Sequence, residues 1–202
     1  MPKPFIYLAS RSPRREELLT QIGVGYQVFV HTPEDADAVD ETPQSGEPPI
    51  DYVMRLARAK ADTNWRALRE RGLPIHRLLA ADTTVAADMK IFGKPESADD
   101  AAAMLRILSG RTHRVYTAVA VAWQDQIEVS LSESAVTMRA LEDEEIRRYV
   151  ETPEPMGKAG AYAVQGRAAL FIERIEGSYS GVMGLPLFET ANLLQRAGLN
   201  LL

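Results

Sequence analysis

From Leu78 to Ala87 the chain is apolar except at three consecutive residues, Asp82-Thr83-Thr84. A run this short cannot cross a membrane, and it reads as a strand interrupted by a polar step. A carboxylate among Leu78-Leu79-Ala80-Ala81 on one side and Val85-Ala86-Ala87 on the other is expensive unless it is paired or bound to a metal. The pattern suits a carboxylate at a strand end reaching a metal or an attacking water. A structural aspartate capping a turn is the competing reading.

Around this run, strands and helices alternate. Phe5 to Ala9 reads as a buried strand, and Ser12-Pro13 opens a helix that ends near Gly23, with Ser12 at the cap and Pro13 at the first helical position. Tyr26 to Val30 reads as a strand. The stretch from His31 to Pro49, rich in acids, prolines and glycine, reads as a mobile surface loop. Val53, Met54, Ala57, Ala61, Trp65 and Leu68 recur at helical spacing between Ile50 and Arg71. Further helices are expected from Ser97 to Leu108, from Glu142 to Val150 and from Pro186 to Ala197, with strands at Val115–Trp123, Ile127–Leu131, Ala135–Met138 and Leu170–Ile175. Thr152 to Tyr162 and Gly177 to Gly184 read as loops. The sum is one α/β domain over residues 1–202 with a mixed sheet.

The charge pattern narrows the chemistry. A formal net charge of −5 argues against broad nucleic-acid binding. With no cysteine and three scattered histidines, any metal would be a hard cation held by carboxylates, magnesium or manganese fitting best. No secretion signal or membrane-length run is present, which points to the cytoplasm. Yet Arg14 and Arg15 stand in the first turn of the first helix, where the dipole disfavours cations. An anion such as phosphate would explain them, held by backbone N–H groups, the hydroxyls of Ser10 and Ser12, and both guanidinium groups. Solvated arginines paired with Glu16 or Glu17 are the alternative. Lys60, Lys94 in Gly93-Lys94-Pro95 and Lys158 between glycines are each, taken alone, ordinary surface lysines. Gln165 before Gly166 reads as a buried amide able to meet a base edge. No phosphate-binding Gly-x-x-x-x-Gly-Lys-Ser/Thr loop, dinucleotide fingerprint or His-Glu-x-x-His occurs. Gly177-Ser178-Tyr179-Ser180-Gly181 carries Tyr179 where a nucleophile elbow needs serine, and no strand is expected to lead straight into a helix there, so serine hydrolase chemistry is discarded.

Seven segments in order carry a resemblance: Leu8-Ala9-Ser10-Arg11-Ser12-Pro13-Arg14-Arg15 with Glu17-Leu18-Leu19; Arg55-Leu56-Ala57 with Lys60-Ala61; Ala81-Asp82-Thr83; Gly93-Lys94-Pro95; Leu108-Ser109-Gly110 with His113; Lys158-Ala159-Gly160-Ala161-Tyr162 with Gln165-Gly166; and Gly177-Ser178-Tyr179 through Gly184-Leu185-Pro186-Leu187. Together they closely resemble the Maf family of nucleotide pyrophosphatases. The resemblance implies a fold shared with inosine triphosphate pyrophosphatases: a long twisted mixed sheet with flanking helices, two lobes around a cleft, and a homodimer. It implies Asp82 as proton acceptor, and Ser10, Arg14, Arg15, Lys60 and Lys94 around a triphosphate. The family's acidic metal partner falls on Glu41 when counted back from Tyr52 and Arg55, and near Asp35 when counted forward from Gly23; Glu41 is chosen, with an insertion around Glu34 to Ala38. Arg14, Thr83 and Gln165 resemble the branch that hydrolyses dTTP and UTP. Gly157 departs from the family, which usually has Asp there. The implied mechanism has a magnesium or manganese ion bridging Asp82, Glu41 and phosphate oxygens while water attacks the α-phosphorus. A nucleotide-binding regulator of cell division, or a phosphoesterase for another metabolite, are the other classes considered.

Overall fold

The computed structural model describes residues 5–31 and 39–201. Its opening unit is β1 (Phe5–Leu8), α1 (Pro13–Gln21) and β2 (Gly25–Val28), the two strands parallel with Phe5 beside Gly25. Pro13 at the first helical position presets the backbone for α1. After Gly23, at φ 72°, the chain turns back into β2. α2 (Pro49–Glu70) follows, then β3 (Arg77–Ala87), which lies parallel to β1.

The sheet has seven strands among the described residues, in the order β2-β1-β3-β5-β6-β7, with β4 (Lys90–Phe92) also paired to β3. β5 (Thr112–Trp123), β6 (Gln126–Met138) and β7 (Ile172–Glu176) run antiparallel to their neighbours. The result is the expected mixed sheet with helices on its faces. α2 lays Val53, Ala57, Ala61 and Leu68 on Leu78 and Ala80 of β3 and on Ala118, Ala120 and Ala122 of β5. The alanine-rich surface lets the helix approach closely, and each buried Val or Leu contributes about 1.5–3 kcal/mol. The opposite face, Leu79 and Ala81 with Val119 and Val121, packs under Leu18 and Leu19 of α1 and under α6 (Leu187–Arg196). A separate core beyond β3 joins Phe92 of β4 to α3 (Ala98–Leu108) and α4 (Asp143–Val150). No described helix is long and apolar enough to cross a membrane.

β3 is not interrupted. Asp82, Thr83 and Thr84 stay in register with Ala118, Thr117 and Tyr116, so Asp82 lies mid-strand rather than at a strand end. The opening comes from the other edge. β1 follows β3 only as far as the Leu8–Leu79 pair, and β4 joins it only from Val85 onward. Ala80 to Thr84 therefore have no strand neighbour on that edge among the described residues. The sheet opens into a cleft between the β1 side and the β4 side.

Other boundaries also differ from expectation. β4 is too short to announce itself by alternation, and it is formed by a two-residue turn at Asp88-Met89 with φ of 49° and 63°. Ile127–Leu131 and Ala135–Met138 are one strand, β6. Arg167–Leu170 forms a 3-10 turn, so β7 begins at Ile172. Gly177 and Ser178 lead from β7 straight into a short helix, α5 (Tyr179–Met183), where a loop is expected. A strand does run directly into a helix there, but Tyr179 still rules out the serine nucleophile. The proposed insertion and Asp35 lie outside the described residues.

Candidate active site

Strand alternation turns Asp82 to the same face as Leu78 and Ala80, toward α2. Lys60 of α2 meets it there. Its Nζ lies 2.7 Å from Asp82 Oδ1 and 2.6 Å from Glu41 Oε1. Lys60 is therefore no free surface lysine; it is the shared counter-ion of two carboxylates. The backbone carbonyl of Lys60 accepts from Asn64 Nδ2 at 2.8 Å, and Asn64 Oδ1 accepts from the His31 N–H at 2.9 Å. Burial would raise the pKa of Glu41, but the charges of Lys60, Lys94 and Arg15 and the hydrogen bond from Lys60 outweigh it and hold it below its ordinary value.

Thr83 points the other way. Thr117 Oγ1 lies 3.1 Å from Thr83 Oγ1 and 2.8 Å from the Gly181 carbonyl. A side chain at Gly184, which has φ 120°, would sit 3.6 Å from Thr83 Oγ1 and 3.8 Å from Arg15 Nε. Those are ordinary contacts, so it is the backbone angle and not crowding that calls for glycine there. Arg15 donates from Nε to the Gly184 carbonyl (2.8 Å) and from Nη1 to Ser10 Oγ (3.0 Å), and Arg14 donates from Nε to the Met183 carbonyl (3.2 Å). Ser10 Oγ also accepts the Ser12 N–H at 3.2 Å, while Ser12 makes no side-chain cap bond. No ion pair joins Arg14 or Arg15 to Glu16 or Glu17 among the described residues, which removes the solvated-pair alternative. Burial lowers the pKa of both arginines. For Arg15, Asp82 and Glu41 offset this and Arg14 adds to it.

The far wall is the Gly93-Lys94 loop and the strap from Gly157 to Gln165. The Gly160 N–H donates to the Gly93 carbonyl at 3.1 Å, and a Cβ at Gly160 would meet Val85 at 3.0 Å. His113 Nε2 lies 2.8 Å from Tyr162 Oη behind the strap, and burial pushes the His113 pKa down to about 4. Gln165 lines the cleft but is exposed, not the buried amide expected. Gly157 has φ 72°, a conformation glycine adopts more readily than the usual aspartate.

The cleft is about 870 Å³ and brings together every residue singled out for it: Ser10, Arg14, Arg15, Glu41, Lys60, Asp82, Thr83, Lys94 and Gln165. Arg11 and Lys158 also line it, so cations outnumber the two carboxylates Glu41 and Asp82 in a chain that is acidic overall. Tyr52, Asn64 and Tyr162 reach the cleft without having been anticipated. The glycines flanking Lys158, which permit close backbone approach, and Gln165 were the signs in the sequence that this strap could approach a ligand. Glu41 and Asp82 are the pair able to hold a divalent ion. The point where they converge is already filled by a positive charge, the Lys60 ammonium. No group of three or more His, Cys, Asp or Glu residues converges among the described residues. An ion bound there would complete its shell with water and substrate oxygens, as magnesium ordinarily does.

An opened mixed sheet with a cation-rich cleft and a carboxylate pair on its floor defines an α/β protein whose cleft has the charge to suit a polyanion. The chain belongs to the Maf-like protein family, whose family model matches residues 5–197. It is 58% identical over 197 residues to a dTTP/UTP pyrophosphatase of Aromatoleum aromaticum, covering 96% of this chain and 95% of the relative. Against the dTTP/UTP pyrophosphatase of Cupriavidus pinatubonensis it is 55% identical over 196 residues, covering 96% and 98% of the two chains.

Proposed function

We propose that this protein hydrolyses dTTP and UTP to the monophosphate and pyrophosphate. The carrying observation is Asp82, held mid-strand at the open edge of β3 on an ammonium it shares with Glu41. Asp82 is the proton acceptor for a water that attacks the α-phosphorus; the bond to the bridging oxygen breaks and pyrophosphate leaves. Ser10, Arg14, Arg15, Lys60 and Lys94 bind the triphosphate and offset its charge, and Thr83 and Gln165 discriminate the base. Glu41 and Asp82 would hold a magnesium or manganese ion, which when bound supplies charge neutralisation at the phosphate oxygens. A protein that only bound nucleotide would need no base at Asp82. The working form is read as a cytoplasmic homodimer, and light scattering on the purified protein tests the stoichiometry.

The deciding experiment measures pyrophosphate release, coupled to inorganic pyrophosphatase, from UTP, dTTP, CTP and purine triphosphates with magnesium. UTP and dTTP should lead in kcat/KM. Binding without release would favour a regulator, and release from purine triphosphates alone would overturn the pyrimidine reading.

A further inference from the structure

Glu41 lies in a segment, residues 39–48, that has no helix or strand of its own. Its carboxylate nevertheless meets Lys60 at 2.6 Å. The backbone on either side is tied to one helix. Three successive carbonyls accept from α2: Asp40 O from Arg55 Nη1 at 3.2 Å, Glu41 O from Tyr52 Oη at 2.9 Å, and Thr42 O from Arg55 Nη2 at 3.2 Å. Arg55 is itself aimed by Glu47, which takes Nε at 2.6 Å and Nη2 at 2.7 Å, and its guanidinium lies 5.5 Å from the Tyr52 ring centre. Tyr52 and Arg55 are three apart and so share one side of α2. The same helix carries Lys60. α2 thus holds the Glu41 segment by its backbone and the Glu41 carboxylate by its charge.

We propose that Arg55 and Tyr52 are positioning residues that hold Glu41 opposite Asp82 for the divalent ion. This rests on Glu41 being a metal partner. A loop carboxylate without such ties samples many positions, and metal affinity falls with the fraction of time it is in place. Glu47 acts one step further out, by fixing the guanidinium fork. Lysine cannot replace Arg55, because one ammonium cannot reach two carbonyls and a bidentate carboxylate from a single point.

The test is Mn²⁺ binding, followed by the loss of the free-ion EPR signal, on full-length protein with the non-hydrolysable α,β-imido analogue of dUTP. Arg55→Met and Arg55→Lys should weaken Mn²⁺ binding about tenfold or more, the scale seen when outer partners of metal ligands are lost. Tyr52→Phe, which removes one O–H, should weaken it by a smaller factor and serves if the Arg55 variants fail to fold. In a Glu41→Gln background the Arg55 effect should vanish, since there is no carboxylate left to position; a merely structural role would persist there. Wild-type Mn²⁺ affinity in folded Arg55→Met and Tyr52→Phe, or an undiminished Arg55 effect in the Glu41→Gln background, overturns the proposal while leaving Glu41 its role. Wild-type affinity in Glu41→Gln alone removes Glu41 from the metal site, and this proposal with it.

Discussion

Replacing Lys60 by methionine keeps an apolar stem of similar length on α2 and deletes the charge between Glu41 and Asp82. The two lost contacts are unequal. Asp82, with a side chain only 12% exposed, loses a charge-assisted bond worth about 1.5–3 kcal/mol. Glu41, 48% exposed, loses a contact closer to the surface scale of about 0.5–1 kcal/mol. Two carboxylates are then left facing each other, so a total of about 2–4 kcal/mol is expected in metal-free protein. For a chain of this size that is a fall in Tm of roughly 4–16 °C. A divalent ion should reverse much of it, because the ion can take the place of the ammonium and, unlike in the wild type, has no lysine to displace. Thermal melts with chelator and with magnesium or manganese measure both effects, and the metal-induced rise should be larger in Lys60→Met than in the wild type. Equal melting of the two proteins in chelator, or an equal rise on adding metal, would refute the view that Lys60 occupies the cation point.

Asp82→Asn keeps the side-chain shape and removes the base, so turnover should fall about a hundredfold or more; near wild-type pyrophosphate release with magnesium present would remove Asp82 from catalysis. Gln165→Ala should narrow the kcat/KM ratio of UTP over CTP by about 1–3 kcal/mol while the protein stays folded, and an unchanged ratio would end the base-reading role. His113 has a native pKa of about 4, below its ordinary 6.5, so it contributes stability in full above 6.5 that is lost as pH falls toward 4. The loss should reach about 3 kcal/mol, read as the difference in urea midpoints between wild type and His113→Gln across that range. A parallel pH dependence in the two proteins would count against it. Glu47, Glu144 and Glu145, each held at about 2, lose their contributions lower, between 4.5 and 2, and so do not mask the histidine step.

What the chain declared in advance were residues that break local rules. Arg14 and Arg15 at the positive end of a helix, and Asp82 in an apolar run, are costly where they stand, and all three line the cleft. What stayed hidden depended on partners distant in sequence. Ser132 and Ser134 make β6 look broken because they are polar, yet both are buried. Ser134 Oγ accepts the Ser178 N–H at 3.0 Å, and a Cβ at Gly181 would meet Ser132 Oγ at 3.2 Å. The strand is polar there because the turn into α5 lies on it. Glu41 could be found only by counting; it is the meeting with Lys60 that singles it out, and no spacing rule encodes that.

The position of Asp82 on its strand matters as much as its chemistry. At the open edge of β3 the cleft reaches both faces of the strand: Asp82 with Lys60 and Glu41 on one, Thr83 with Thr117, Gly184 and Arg15 on the other. In the proposed reaction, proton transfer and metal binding would fall to the α2 side, and recognition to the α1 and α5 side. Side-chain direction in a strand has a period of two, so a slip of one residue would exchange the faces. Asp82 would then turn into the cluster of Leu79, Ala81, Val119 and Val121, and Thr83 would face Lys60. A carboxylate without its ammonium in that core costs several kcal/mol. The large residues Leu79, Val119 and Val121 on one face and the alanines under α2 on the other oppose the same slip. The packing that fixes the register of the sheet is therefore also what orients the Asp82 carboxylate toward Lys60 and Glu41.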